Sequence, residues 1–93
     1  MSRKNKELIL LVEDEDSLAL GLCYNLEAEG YGVLRTGDGR EAVELFTRHC
    51  VDLVILDVML PHIDGFEVAS RIRQTAEKVP ILMLTARVLP EDR

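Results

Sequence analysis

The 93-residue sequence lacks any apolar run long enough to span or enter a membrane. Its first residues, Met1-Ser2-Arg3-Lys4-Asn5-Lys6, carry the positive charge of a signal-peptide head. The apolar stretch behind them, Leu8-Ile9-Leu10-Leu11-Val12, stops at Glu13-Asp14-Glu15-Asp16. A secretory core takes about 7 to 15 apolar residues and a membrane span about 20. A cytoplasmic chain without membrane contact is therefore expected. Cysteine is scarce too. Cys23 and Cys50 form no CxxC pair, and His49 beside Cys50 has no further ligands near it in sequence, so neither a disulfide framework nor a zinc site is expected. Cations are outnumbered: 11 Lys and Arg face 17 Asp and Glu, for a net charge of −6. That sign opposes attraction to phosphate backbones, so no direct nucleic-acid contact is expected from this chain. With 3 prolines and no low-complexity tract, nothing marks an internal domain boundary, and residues 1–93 read as one small domain.

What the sequence does have is alternation. Three unbroken apolar runs stand out: Leu8 to Val12, Leu53-Val54-Ile55-Leu56 and Ile81-Leu82-Met83-Leu84. Runs this short, without polar alternation, fit strands buried on both faces. Gly32-Val33-Leu34-Arg35-Thr36 is a weaker strand, expected nearer an edge. Helical patterns lie between. Residues 17–29 place Leu18, Leu22 and Leu26 on one stripe with Ala19 and Cys23 alongside, and Gly30 stops the helix. Asp38 with Glu41 forms a capping pair for a helix carrying Ala42, Val43, Leu45 and Phe46. Residues 65–74 put Phe66, Val68, Ala69 and Ile72 on a third amphipathic segment, and Pro90-Glu91-Asp92 starts a fourth. Strand–helix alternation predicts a doubly wound parallel α/β sheet, whose ligands bind beyond the carboxyl ends of the strands.

Glu13 and Asp14 follow the first run directly, Asp57 follows the third and Thr85 the fourth. A parallel sheet brings all of them to one rim. Two carboxylates about 4 Å apart repel by roughly 4 kcal/mol at an effective dielectric near 20. A proton or a hard cation relieves that conflict. Oxygen-only donors favour Mg2+ or Mn2+ over zinc. For Glu15 and Asp16 the plainer role, acids favoured at a helix N-terminus, is sufficient. A carboxylate beside a bound divalent ion can also act as a nucleophile toward a phosphoryl group, with a hydroxyl such as that of Thr85 bonding a phosphoryl oxygen.

Three segments together resemble the receiver domain family of two-component response regulators: Leu11-Val12-Glu13-Asp14-Glu15, then Asp57-Val58-Met59-Leu60-Pro61-His62-Ile63-Asp64-Gly65, then Leu84-Thr85-Ala86. The resemblance implies that the sheet is of flavodoxin-like type and that Asp57 accepts a phosphoryl group from a sensor histidine kinase. It implies that Glu13, Asp14 and Asp57 bind Mg2+ (or Mn2+) through side chains, with the Met59 backbone carbonyl as a further ligand. Thr85 would be the switch hydroxyl, and the small Ala86 would leave room for it to move. Met59 and Arg87 sit where the family varies, while His62 reads as an ordinary surface residue. The chain would not be a turnover enzyme. Its output would lie in a missing C-terminal domain, of DNA-binding or other type.

The family pattern continues through a fifth strand, ending in a lysine, and a fifth helix. Lys4, Lys6 and Lys78 are the lysines here, and Lys78 precedes the fourth strand, so none takes that place. The domain is therefore expected to be C-terminally incomplete. Weak phosphorylation, surviving metal binding and self-association are the expected consequences, because the stripe of Leu18, Leu22 and Leu26 and the edge at residues 81–84 would be uncovered. Three rival readings are weaker. A receiver-like interaction module that is never phosphorylated would not need the intact acidic set. An aspartyl-phosphate hydrolase would need a second carboxylate two positions after Asp57, where Met59 stands. A dinucleotide-binding domain would need a glycine-rich turn in place of Glu13-Asp14-Glu15-Asp16.

Overall fold

The structure is a computed structural model that describes residues 6–61 and 63–84. Thr85, Ala86, Arg87, the helix start at Pro90, and His62 lie outside the described residues. Among the described residues seven elements follow in strict alternation: β1 (Leu8–Val12), α1 (Asp16–Ala28), β2 (Gly32–Thr36), α2 (Gly39–Arg48), β3 (Leu53–Asp57), α3 (Gly65–Thr75) and β4 (Ile81–Leu84). All strand pairs are parallel, and the sheet order is β2-β1-β3-β4. The weaker strand does lie at an edge. The reversal of strand order falls between β1 and β3, whose carboxyl ends therefore flank the crevice such sheets use for ligands.

Successive side chains of a strand point to opposite faces, and β1 shows why an unbroken apolar run is needed here. Leu10 and Val12 join Val54 and Leu56 beneath Ala42 and Phe46 of α2 and Val68 and Ile72 of α3. Ile9, Leu11 and Ile55 face Ala19 of α1, with Leu22, Cys23 and Leu26 partly buried against them. Burying one such leucine contributes about 1.5–3 kcal/mol. On α1 only Ala19 is fully buried, and the Leu18, Leu22 and Leu26 stripe is half-buried. Leu82 on β4 is exposed.

Local chemistry sets the helix ends. At the end of α1, Gly30 takes φ +99°, its N–H reaching the Glu27 carbonyl while the Tyr31 N–H reaches that of Leu26. This left-handed cap suits glycine. The Asp64 carboxylate accepts the Glu67 N–H at 3.0 Å and starts α3. At α2 the Asp38 carboxylate accepts the Arg40 N–H, but Glu41 does not reach back to the Asp38 N–H as the capping pair predicted. That N–H donates instead to the Thr36 hydroxyl, which is also hydrogen-bonded to the Glu41 carboxylate. Phe66, one of the apolar residues of the third amphipathic segment, lies off the buried face of α3. Gly65, Val68 and Ile72 form the buried stripe, whereas Phe66 is 64% exposed.

Candidate functional site

Two central strands deliver the acidic residues. Val12 pairs with Leu56 in the parallel register, so the next residues along, Glu13 and Asp57, stand side by side. The Glu13 N–H still donates to the Thr36 carbonyl at 2.9 Å, which keeps its backbone tied to β2. Glu13 and Asp57 are each only 1% exposed. Glu13, Asp14 and Asp57 each present one carboxylate oxygen, and the three oxygens lie within 4.8 Å of one another. The two strand ends thus converge on a single point.

Each buried acid is held by one oxygen. The Asp57 Oδ1 atom accepts the Met59 N–H at 3.1 Å, and the Glu13 Oε2 atom accepts the Glu15 N–H at 3.0 Å. Among the described residues, the other oxygens, Glu13 Oε1 and Asp57 Oδ2, are buried without a hydrogen-bond partner. A buried acceptor in that condition costs roughly 1–3 kcal/mol, more when charged. The strain shows in Glu13, whose carboxyl is pushed above its ordinary range. Burial is the largest cause, the Glu15 N–H opposes it, and the charges of Asp57, Asp14 and Glu15 add to it. Unsatisfied oxygens, like charges and an oxygen-only donor set are together what a hard divalent cation would satisfy. The acidic cluster can therefore hold a metal ion.

The loop after β3 completes the site. The Val58 N–H donates to the Leu84 carbonyl at 3.0 Å and the Gly65 N–H to the Val58 carbonyl at 2.8 Å, folding the loop back on itself. Gly65 is required by this approach, since a Cβ there would fall 2.5 Å from the Asp57 carbonyl oxygen and 2.8 Å from the Val58 Cα. Beside the acids lies an open groove of about 580 Å³, lined by Asp14, Met59, Pro61, Asp64 and Phe66 among others. Met59 contributes its main chain to Asp57 and leaves its side chain half out in solvent. Phe66 and Arg35 were not singled out from sequence as site residues. Arg35 donates from Nε and Nη2 to the Glu13 carbonyl at 3.0 and 2.7 Å, a contact between strands two elements apart that periodicity cannot reveal.

Fold and site together define a doubly wound parallel α/β domain with an oxygen-donor pocket at its switch point. The family model for the response regulator receiver domain matches residues 9–93. The alkaline phosphatase synthesis transcriptional regulatory protein PhoP of Bacillus subtilis is 49% identical over 79 residues, covering 85% of this chain and 33% of that protein. The response regulator TrrA of Thermotoga maritima, solved in complex with Mg2+-BeF, superposes with a TM-score of 0.83 at 40% identity, covering 87% of this chain and 70% of that one. A structure of the histidine kinase ThkA in complex with TrrA matches with a TM-score of 0.82 at 37% identity, covering 94% of this chain and 75% of the matched chain. The chain belongs to the response regulator receiver domain family and is a receiver domain of two-component signal transduction. It spans about a third of the length of the curated relatives it matches.

Proposed function

We propose that Asp57 is the phosphoacceptor, with Mg2+ or Mn2+ held by the side chains of Glu13, Asp14 and Asp57 and by the Met59 backbone carbonyl. The observation that carries this reading is the convergence of three carboxylates within 4.8 Å, with buried, unpartnered oxygens on Glu13 and Asp57. The ion, when bound, would supply positive charge against the carboxylates and the incoming phosphoryl oxygens.

The chain's own residues do the rest. The Met59 N–H fixes the Asp57 carboxylate through Oδ1, so the side chain needs little reorganisation before reaction. A carboxylate oxygen then bonds to phosphorus as the P–N bond of a phosphohistidine on the kinase breaks, its electron pair returning to the imidazole nitrogen. The groove lined by Met59, Pro61 and Phe66 receives the donor. Thr85 follows β4 directly and is the switch hydroxyl of this proposal. The complex of ThkA with TrrA supports a histidine kinase as partner. The domain is not a turnover enzyme, and the output lies in a part of the protein beyond residues 1–93, as in the transcriptional regulators of which this chain spans about a third. Leu82, 53% exposed on β4, an edge strand among the described residues, is an apolar surface through which two copies would pair. Sedimentation over a range of concentrations reads that pairing, and a monomer throughout removes it.

The site is tested by incubation with a histidine kinase and ATP, or with a small acyl phosphate, followed by intact-mass measurement across a Mg2+ titration. Phosphate is expected on Asp57 only when the divalent ion is present. Equal labelling with the metal chelated would overturn the cation's role. Labelling retained by Asp57→Asn would overturn the acceptor.

A further inference from the structure

We infer that Arg35 is a positioning residue for the acidic loop, aligning Glu13 and Asp14 for a divalent cation by gripping the main chain between them. The inference rests on the cation reading of the preceding section. Arg35 pairs in register with Leu11, whose side chain faces α1, so its own side chain lies on that face of the sheet. From there the guanidinium reaches over the end of β1. Nε and Nη2 both donate to the Glu13 carbonyl, at 3.0 and 2.7 Å, and Nη2 also meets Asp16 Oδ1 at 3.0 Å.

The Glu13 carbonyl belongs to the peptide that joins Glu13 to Asp14. Two charge-assisted bonds on that oxygen fix the tilt of the peptide plane, and the tilt sets where both neighbouring side chains point. The contact therefore acts on the geometry of two of the three acids at once. Both bonds end on a main-chain oxygen, so Arg35 acts on the backbone of the loop. The ion pair with Asp16 is surface-exposed and adds little.

Geometry and charge make opposite predictions. As a mere positive charge near the site, Arg35 would repel a cation, and its removal would tighten binding. As a grip on the loop, its removal loosens the site and weakens binding. A lysine keeps the charge but cannot supply the paired donors of a guanidinium.

Mn2+ binding, read from the electron paramagnetic resonance signal of the free ion, separates these accounts in the unaltered chain and in Arg35→Gln, Arg35→Lys and Asp57→Asn. Arg35→Gln is expected to weaken Mn2+ about tenfold, within the range for residues that orient metal ligands, and Arg35→Lys about threefold. Amide spectra of each variant report folding. Should the Gln variant lose its dispersed spectrum, the comparison rests on the Lys variant. Unchanged or tighter binding in folded Arg35→Gln, or full affinity in folded Arg35→Lys, overturns the inference. If Asp57→Asn binds Mn2+ as the unaltered chain does, the cation reading itself falls. If Asp57→Asn weakens binding and Arg35→Gln does not, only the role of Arg35 falls.

Discussion

The two ends of the sheet carry grooves of similar size, about 580 Å³ at the carboxyl end and about 640 Å³ at the amino end. Both are lined in part by acids, yet they differ in how those acids are satisfied. At the amino end Asp52 is exposed and its carboxylate accepts the Leu8 N–H at 2.8 Å, which closes the account for that oxygen. At the carboxyl end Glu13 and Asp57 are buried, and each has an oxygen with no hydrogen-bond partner among the described residues. Cavity volume does not distinguish the two ends. Unmet electrostatic demand does, because folding would not tolerate it without compensation elsewhere.

Exchanging equivalent residues at the two ends tests this contrast. The largest effect is expected from the acids: Asp57→Asn should reduce phosphoryl incorporation at least about a hundredfold, whereas Asp52→Asn leaves it unchanged. Intact-mass labelling checks both, and a comparable loss in Asp52→Asn would abolish the distinction. The glycines come next. Gly65→Ala forces a Cβ against the Asp57 and Val58 backbone and should cost about 1–3 kcal/mol in urea unfolding. At Gly32, which lines the other groove, a Cβ meets Leu8 Cδ1 at an ordinary 3.4 Å, so Gly32→Ala should stay within about 0.5 kcal/mol.

A smaller effect is expected in pH. The folded Glu13 carboxyl titrates above its ordinary 4.5, so its contribution to metal-free stability is complete below the unfolded value. It is lost as pH rises through the folded value. Urea midpoints in chelator should therefore fall over that rise, and Glu13→Gln should flatten the slope. The mildest contrast concerns the thiols. Cys50 is exposed at the amino-end groove, while Cys23 is half-buried, its thiol pushed up by burial and by Glu27 with Arg35 partly opposing. A thiol-disulfide reagent should modify Cys50 first, by about tenfold in rate. Equal rates would mean that the α1 face is more open than described.

Most of the frame was legible because parallel strands announce themselves. A run such as Leu8 to Val12 has no polar break since both faces of β1 are covered, and the acids that end it could be placed on one rim from topology alone. The side-chain detail was less legible. Phe66 fits a helical apolar period, but the residues that α3 buries are Gly65, Val68 and Ile72. The Asp38 and Glu41 spacing matches a capping pair, yet the buried Thr36 hydroxyl takes the bond that Glu41 was expected to make. The Arg35 contact depends on the β1–β2 register, which no local pattern encodes. Such interactions belong to tertiary structure and compete with local preference.

The bond from the Val58 amide to the Leu84 carbonyl ties the loop after Asp57 to β4. Each opening of that bond would free Val58, which lines the groove beside the acids, so the shape of the groove is coupled to a strand that carries none of them. Deuterium uptake at that single amide would follow this breathing.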